Sequence, residues 1–319
     1  MIWNNIFYLM FGCLLTLSHA NEYMKREMSL VAPYFGAGME LSYWDFSGST
    51  LITSKYVRLT PDVQSRSGSI WNTIECLSQN WEINVNFKVS GKGTDLFGDG
   101  FALWYVKDRS VPGPVFGSKD LFSGLAIILD TYSNHNGPHN HQHPYISAMI
   151  NNGTLSYDHD RDGTLTQIAG CEAKFRNMNH DTHISIKYLN EKLTVMTDLE
   201  NKNEWKLCFE TSNVKLPTGY YFGASATTGD LSDNHDIISF KYYELEPLTD
   251  DETALRRKSI IPSADAIEAP RERKEDPKPG MSNVKIFFII LIGMVCAIAL
   301  AVLGIMYYQK RKESSRKLW

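Results

Sequence analysis

Three clusters of polar residues stand at the ends of strand-like segments of this chain. They are Gly98-Asp99-Gly100, Asp130-Thr-Tyr-Ser-Asn134 and Asp158-His-Asp-Arg-Asp162-Gly163. Oxygen ligands gathered from two loops can hold a calcium ion, and the ion can then fix an asparagine and an aspartate for hydrogen bonds to hydroxyl groups. The clusters therefore indicate a calcium-organised site for a sugar.

The second and third clusters contain part of the oxygen set that calcium needs, which is about six to eight ligands with water included. The third cluster alone is equally compatible with a solvated acidic turn. It is not an EF-hand loop, because Ala169 stands where the bidentate glutamate belongs. Its combination with the second cluster favours calcium, and the candidate ligands are the side chains of Asp130, Asn134 and Asp162 with the Tyr132 carbonyl.

Hydrophobic patterning predicts the strands that would position these clusters. Residues 81–89 alternate apolar and polar side chains, as in a strand with one buried face. Residues 101–106 and 125–129 are continuous apolar runs, typical of strands covered on both sides. Further strands are predicted at 145–150, 184–189, 192–196, 220–226 and 237–245, with a hairpin turn at Asn190-Glu191.

No long stretch with a helical apolar period occurs before residue 246, and turn residues recur between short strands. This favours one all-β sandwich of antiparallel sheets over residues 23–246. Residues 247–283 are charged and interrupted by proline, which predicts a flexible lumenal stalk. The stalk has no cysteine and no sustained heptad, so we expect no covalent or coiled-coil oligomer.

The two ends of the chain predict entry into the secretory pathway and a membrane anchor. Residues 1–20 contain an apolar stretch and end in Ser18-His-Ala20, a pattern that signal peptidase cleaves. Residues 286–309 carry no charged side chain and are long enough to span a bilayer core of about 30 Å. The tail, 310–319, is basic, so the C-terminus is expected in the cytosol of a type I membrane protein.

Charge and cysteine content narrow the possible functions. The net charge is −4 and no basic face is apparent, which argues against nucleic-acid binding. With Cys13 in the signal peptide and Cys296 in the predicted span, the lumen holds one possible pair and one single thiol among Cys76, Cys171 and Cys208. The two that flank the predicted hairpin are favoured as the pair, but the residues alone do not prove it. Neither a Cys-x-x-Cys pair nor a matching histidine spacing occurs, which argues against a zinc site.

Motifs along nearly the whole lumenal domain resemble those of the leguminous-type animal lectins. They include Lys25-Arg-Glu-x-Ser-Leu30, Gly68-Ser-Ile-Trp-Asn72, Gly98-Asp-Gly-x-Ala-Leu-Trp-Tyr105, Pro112-Gly-Pro-Val-Phe-Gly117, Asn151-Asn-Gly-Thr-Leu-Ser-Tyr-Asp-His159, Gly219-Tyr-Tyr-Phe-Gly-Ala224 and Thr228-Gly-Asp-Leu-Ser-Asp-Asn-His-Asp236. The resemblance implies a concanavalin-like jelly roll that binds high-mannose glycans with calcium. It also implies a cargo receptor that cycles between the endoplasmic reticulum and the Golgi.

The same resemblance implies roles for individual residues. For calcium it implies Asp130, Tyr132 through its carbonyl, Asn134 and Asp162. For mannose it implies contacts from Ser65, Asp99, Asn134, His159 and the backbone of Gly229, Asp230 and Leu231. It further implies a Cys171–Cys208 disulfide and a sorting tail, in which the basic pair Arg316-Lys317 and the apolar pair Leu318-Trp319 are read by vesicle coats.

Residues 135–143 form a histidine-rich tract that departs from the family. Histidines can bind metals or sense pH, but nothing in the sequence fixes these rings relative to one another, and a solvated variable loop is favoured. His159 is different because it neighbours two of the polar clusters, and a role in binding is favoured there. Asn152-Gly-Thr154 is a glycosylation sequon, predicted to lie exposed at a loop or strand end.

Two alternatives to a lectin remain. Asp99 and Asp130 could be the acid and nucleophile of a glycosidase, since many glycosidases share this fold. The Glu-x-Asp-x-x-Glu motif of comparable glycosidases is absent before residue 246, and calcium would keep Asp130 occupied, so an enzyme is not expected. The other alternative is a membrane scaffold that binds cargo proteins without sugar.

Overall fold

The structure is a computed structural model that describes residues 23–35, 41–134, 141–245 and 257–264. Within these residues the chain forms fifteen β-strands and two single-turn 3-10 helices. The strands are β1 Tyr23–Met24, β2 Trp44–Gly48, β3 Leu51–Ile52, β4 Val57–Thr60, β5 Arg66–Asn72, β6 Trp81–Ser90, β7 Gly100–Val106, β8 Ser123–Asp130, β9 Tyr145–Asn152, β10 Gln167–Glu172, β11 Thr182–Leu189, β12 Lys192–Asp198, β13 Lys206–Thr211, β14 Tyr221–Thr228 and β15 Asn234–Glu244.

These strands make two antiparallel sheets. The eight-stranded sheet runs β13-β12-β11-β6-β15-β4-β3, with β1 paired to β15 at its side. The seven-stranded sheet runs β10-β9-β8-β7-β14-β5-β2. These two antiparallel sheets confirm the predicted all-β sandwich. Neighbouring strands within each sheet are often distant in sequence.

The strand patterns explain how the two sheets pack. β6 alternates buried and half-buried residues along its whole length, as its sequence predicts. β7 is buried at every position, because the core between the sheets covers one face and a second apolar cluster covers the other. Trp104 and Phe122 meet edge to face in that second cluster, with ring centroids 5.1 Å apart. The continuous apolar runs thus identified strands with two buried faces.

The hairpin and the disulfide agree with the sequence predictions. β11 and β12 pair antiparallel, from His183 opposite Asp198 to Leu189 opposite Lys192. Asn190 and Glu191 between them both have positive φ, as a tight hairpin turn requires. Cys171 on β10 and Cys208 on β13 form a disulfide with a Cα–Cα distance of 5.4 Å. It joins the edge strands of the two sheets at one side of the sandwich.

The remaining cysteine among the described residues, Cys76, is a buried free thiol. Its pKa rises to about 11, chiefly because burial disfavours the thiolate. A reactive thiolate is therefore disfavoured at this position.

The segment after the sandwich differs from the predicted flexible stalk in one part. Residues 257–264 lie against the domain: Ser263 exchanges two backbone hydrogen bonds with Lys215, at 2.7 and 3.1 Å, and Ala264 packs against the core. Lys258 also pairs with Glu75 at 3.1 Å. The prediction of a flexible stalk is wrong for these eight residues, because backbone pairing can hold a polar segment that composition alone would leave free.

Several predicted segments fall outside the described residues. These are the signal peptide 1–20, the rest of the stalk within 247–283, the membrane span 286–309 and the tail 310–319. In the described part of the chain, no helix combines the length and apolar character needed to cross a membrane.

Candidate functional site

Strand register brings the polar clusters together at one end of the seven-stranded sheet. Gly100 at the start of β7 pairs with Asp130 at the end of β8, and Asp130 pairs with Tyr145 at the start of β9. On the other side, Gly100 pairs with Thr227 near the end of β14. The residues just before β7 and just after β8 and β14 therefore lie side by side, although they are widely separated in sequence.

Two buried carboxylates form the centre of this end. Asp130 is 6% exposed and Asp162 is 4% exposed. Asp130 accepts a hydrogen bond through Oδ1 from the Tyr132 backbone N–H at 3.0 Å, and Asp162 accepts one through Oδ1 from the Asn134 N–H at 2.9 Å. The four predicted calcium ligands are thus linked in two pairs, Asp130 with Tyr132 and Asp162 with Asn134.

The turn that carries Asp162 is shaped by its neighbours. Asp162 follows the 3-10 helix His159–Arg161 in a left-handed conformation, with φ of 50°, and donates its N–H to the His159 carbonyl at 3.1 Å. Gly163 comes next, and a Cβ there would lie 2.3 Å from the Tyr157 ring. Glycine is therefore required for the turn to close over this tyrosine and present Asp162 toward Asp130.

His143 is the third group at the carboxylate centre. Its side chain is 5% exposed, and Nε2 lies 3.9 Å from Oδ2 of Asp130 and 3.9 Å from Oδ2 of Asp162. Burial lowers the pKa of His143, which Asp162 partly opposes. His141 stacks on Tyr145 with ring centroids 3.4 Å apart.

This arrangement overturns part of the sequence interpretation. The prediction of a solvated variable loop at residues 135–143 is wrong for His141 and His143. Both rings are held because they immediately precede β9, whose first residue pairs with Asp130. Residues 135–140 lie outside the described part of the chain. The closeness of the tract to Asp130 in sequence could have indicated that these histidines lie near the site. The strand register that places His143 against Asp162 could not be predicted from the sequence.

The donor set fits a divalent cation. Burial, with a smaller contribution from the charge of Asp162, holds the pKa of Asp130 well above its ordinary value. Two buried carboxylates side by side are costly in the ionised form unless a cation compensates them. Ligand atoms of Asp130, His143 and Asp162 all lie within 4.8 Å of one another, so one ion can contact the group.

The predicted sugar residues surround this centre. The Ser65 N–H donates to the Gly229 carbonyl at 3.0 Å, which joins the loop before β5 to the loop after β14. Gly229 approaches the Asp99 carboxylate so closely that a Cβ on it would lie 3.3 Å from Oδ2. The Asp99 carbonyl in turn accepts from the Thr131 N–H at 3.0 Å, next to Asp130.

Asp99 is electrostatically unusual. Burial, together with the charge of the Asp230 carboxylate, raises its pKa to about 6 against the opposing effect of a backbone hydrogen bond from Gly229. Leu231 lies nearby, since a Cβ on Gly98 would come within 3.6 Å of its Cβ. A partly exposed carboxylate bordered by backbone is suited to accept hydrogen bonds from hydroxyl groups.

His159 lies next to the carboxylate centre, where its carbonyl accepts a hydrogen bond from the Asp162 N–H, and its ring contacts two aromatic side chains. Its Nε2 lies 2.9 Å from the Pro114 carbonyl, and its ring lies 5.6 Å from that of Phe116 and 4.7 Å from that of Tyr157. His159 is half-buried, so the ring is fixed in place while part of its surface remains open. Hydrogen bonds thus link the segments of Asp99 and His159 to those of Asp130 and Asp162, and Ser65 to Gly229.

The chain resembles known proteins over most of its length. Residues 21–252 match the legume-like lectin family. The human vesicular integral-membrane protein VIP36 is 50% identical over 307 residues, which cover 94% of this chain and 86% of VIP36. The crystal structure of the VIP36 exoplasmic/lumenal domain in its Ca2+/Man-bound form is 56% identical, with a TM-score of 0.72, and covers 77% of this chain and 100% of that chain. The Ca2+/Man3GlcNAc-bound form is 58% identical, with a TM-score of 0.71, and covers 76% and 100%.

Two apposed antiparallel sheets with a buried acidic centre at one end define a concanavalin-like lectin domain. The chain belongs to the legume-like lectin family. Its close relatives are lectins rather than enzymes, so the glycosidase alternative is dropped.

Proposed function

We propose that this protein is a calcium-dependent lectin that binds high-mannose N-glycans on glycoproteins. The observation that supports this best is the convergence of Asp99, Asp130 and Asp162 with the Gly229 backbone at one sheet end. VIP36, whose lumenal domain has been solved with calcium and mannose ligands, shares more than half of its residues with this domain.

In this proposal Asp130, Asn134, Asp162 and the Tyr132 carbonyl hold calcium, which neutralises the acidic centre when bound. Asn134 then presents its side-chain amide to the sugar, as donor and acceptor. The remaining mannose contacts are Ser65, Asp99, His159 and the backbone of Gly229, Asp230 and Leu231. Asp99 accepts from sugar hydroxyls, and the glycine backbone allows the ring a close approach.

The decisive experiment measures binding of the purified protein to a panel of mannose-trimmed N-glycans, with calcium and with a chelator. We expect high-mannose glycans to bind with calcium only. Binding to cargo glycoproteins that persists after enzymatic removal of their glycans would instead support a sugar-independent scaffold. Binding of glycans that is indifferent to the chelator would contradict the calcium role.

We further propose that the protein is a single-pass type I membrane protein of the early secretory pathway. This pathway comprises the endoplasmic reticulum, the ER–Golgi intermediate compartment and the Golgi. There it would act as a cargo receptor in transport or quality control, with Arg316-Lys317 and Leu318-Trp319 read by vesicle coats. The support is the apolar span at 286–309 and the similarity to a vesicular integral-membrane protein. Imaging of a variant with Arg316→Ala and Lys317→Ala tests the tail, since an unchanged distribution would leave these residues only as membrane anchors.

Asn152 is proposed to carry an N-linked glycan. It ends β9, is exposed, and its Oδ1 accepts from the Thr154 Oγ1 at 2.6 Å within the sequon. Protein from secretory cells should therefore migrate faster on a gel after glycosidase digestion, and an Asn152→Gln variant should not respond. Unchanged migration of the parent protein would exclude the glycan.

A further inference from the structure

The backbone of residues 229–231, to which the proposed function assigns contacts with mannose, lies in a loop between two strands. β14 ends at Thr228 and β15 begins at Asn234. A loop has no regular ladder of hydrogen bonds to fix the direction of its peptide groups. A backbone donor that must meet one sugar hydroxyl therefore has to be oriented by another part of the chain before the sugar binds.

The loop before β5 joins this sugar-contacting backbone at both of its ends. On one side, the buried Thr228 hydroxyl accepts from the Arg66 N–H at 2.9 Å and donates to the Val63 carbonyl at 2.7 Å. On the other side, Ser232 Oγ donates to Oδ1 of Asp62 at 2.7 Å. The ends of the sugar-contacting backbone are therefore fixed, and its middle remains to be held.

Two further hydrogen bonds hold the carbonyl groups in the middle. The Gly229 carbonyl accepts from the Ser65 N–H at 3.0 Å, and the Asp230 carbonyl accepts from Nε2 of Gln64 at 2.5 Å. The first bond is between backbone groups, whereas the second comes from the side chain of an exposed residue. The second bond can therefore be removed by substitution without altering a backbone donor.

Holding a carbonyl also fixes the N–H of the same peptide group. A trans peptide is planar, and its N–H points opposite to its C=O. The Asp230 N–H is therefore directed away from Ser65, and the Leu231 N–H is directed away from Gln64. Two successive N–H groups that point to the same side form a concave donor surface suited to an oxygen acceptor.

The exposure of Gln64 indicates what its hydrogen bond contributes. An exposed hydrogen bond contributes little to folding stability, because water can replace either partner. A glutamine side chain also loses rotamer freedom when it is held in one position. The bond from Gln64 is therefore explained by the peptide group that it orients rather than by the stability that it adds.

We propose that Gln64 is a positioning residue for mannose binding, which holds the peptide group between Asp230 and Leu231 so that the Leu231 N–H donates to a sugar hydroxyl. The inference rests on the proposed lectin function and specifies how one of its backbone contacts is made. Gln64 itself does not touch the sugar. Without its bond the peptide group can turn, so mannose affinity should decrease by about threefold to tenfold, the range expected for one hydrogen bond.

The test uses the detergent-solubilised full chain with calcium, bound to an immobilised high-mannose glycan and displaced by free mannose. Gln64→Met keeps the side-chain length without a donor and should weaken mannose affinity by about threefold to tenfold. Gln64→Arg restores an N–H at the position of Nε2 along the side chain and should stay within about twofold of the parent. The Tm of each variant should stay within about 2 °C of the parent, because the residue is exposed.

A set of deoxymannoses, each lacking one ring hydroxyl, separates positioning from a general distortion of the site. The parent and Gln64→Met should bind one of these sugars equally, namely the sugar without the hydroxyl that the Leu231 N–H contacts, because the oriented donor then has no acceptor. A loss in Gln64→Met of the same size for every deoxymannose would overturn the proposal. Equal mannose affinity in the parent and Gln64→Met, or an equal loss in Gln64→Met and Gln64→Arg, would overturn it too.

Thr53→Val is the matched control, because it removes a hydroxyl that donates to the Tyr56 carbonyl at 2.8 Å in the turn before β4. Mannose affinity should not change in this variant, and a loss as large as that of Gln64→Met would show that affinity follows general stability and would contradict the proposal. Failure of the parent to bind the glycan with calcium would refute the proposed lectin function. Calcium-dependent binding by the parent that is equally strong in Gln64→Met would refute only the role of Gln64.

Discussion

Asp233 and Asp130 are both buried carboxylates close in sequence to the proposed sugar residues, but only one is matched by an arginine. Asp233 is fully buried, and both of its oxygens accept hydrogen bonds from the Arg176 guanidinium at 2.8 Å. Asp130 is almost as buried, and among the described residues no lysine or arginine forms an ion pair with it. The first carboxylate is compensated by an arginine of the chain, and the second has no such partner among the described residues.

This difference separates groups that hold the fold from groups that hold a ligand. Arg176 also stacks on Phe97, with its guanidinium carbon 3.9 Å from the ring centroid, so the pair is fixed from a second direction. Among the described groups, the Tyr132 N–H and the His143 ring lie close to the Asp130 oxygens, and neither supplies the permanent positive charge of an arginine. Removing the first pair should therefore damage stability, while removing Asp130 should damage binding.

The largest expected effect is that of Asp130→Ala on binding. Loss of this carboxylate removes a calcium ligand and leaves Asn134 without the ion that orients it, so calcium and mannose binding should both disappear. The fold should remain, because the variant removes a buried charge that the described chain does not compensate. Calorimetric titration with calcium and mannose, beside a circular-dichroism melt, measures both parts. Mannose binding at the parent level would refute the assignment.

Arg176→Ala should have the next largest effect, on stability. Breaking a buried ion pair leaves one charge unmatched and costs about 3–5 kcal/mol in free energy of unfolding. Lys119→Ala is the control, because Lys119 and its partner Asp108 form an ion pair whose side chains are 38% and 47% exposed, and the variant should cost less than about 1 kcal/mol. Denaturant unfolding of both variants measures the contrast.

The explanation for Arg176 can itself be tested. If the cost comes from the unmatched charge of Asp233, adding Asp233→Asn to Arg176→Met should recover part of the stability, since neither side chain is then charged. Equal loss in the single and double variants would assign the effect to packing of the arginine against Phe97 instead.

Local patterns in the sequence are enough to predict the central strands of both sheets. β6 is readable from its alternation, β7 and β8 from their apolar runs, and the β11–β12 hairpin from the two residues between its strands. Such features depend on the chain's own neighbours, so a single sequence contains them.

Features that depend on contacts with residues distant in the chain could not be predicted from the sequence. β5 includes Ser67, Gly68 and Ser69, a weak strand sequence, and becomes a strand because it lies between β14 and β2. The same holds for His143, which meets Asp162 only through the pairing of β8 with β9. The family resemblance supplied the sugar residues, but it gave no role to a histidine that departs from the family.

A smaller effect is expected from Asp99, through pH. Its folded-state pKa of about 6 exceeds the ordinary 3.8, so the folded protein holds the proton more tightly than the unfolded chain. Stability from this group is therefore full below about pH 3.8 and is lost as pH rises through about 6. In metal-free protein, Asp99→Asn should raise the Tm at pH 7.5 by about 2 °C, a discounted figure because the carboxyl is partly in water, and by less at pH 4.

Thermal melts in chelator at the two pH values measure this effect, and Asp95→Asn, at an exposed carboxyl of the same loop, is the control. An equal Tm gain at both pH values would mean that the benefit does not come from the ionisation of Asp99. The same variant should lose mannose binding, because the amide cannot replace both acceptor oxygens of the carboxylate.

The smallest expected effect extends the comparison from carboxylates to hydroxyl groups. The Tyr157 hydroxyl is buried beside the acidic centre and has no hydrogen-bond partner in the described part of the chain, whereas the buried Tyr188 hydroxyl donates to the Val214 carbonyl at 2.9 Å and accepts from the Leu216 N–H at 3.2 Å. Removing a satisfied buried hydroxyl strands its partners, so Tyr188→Phe should cost about 1–2 kcal/mol in free energy of unfolding. Tyr157→Phe leaves no partner stranded and should stay within about 0.5 kcal/mol of the parent in metal-free protein. Denaturant unfolding of the two variants decides it, and a cost for Tyr157→Phe as large as that for Tyr188→Phe would mean that the acidic centre already satisfies this hydroxyl without a cation.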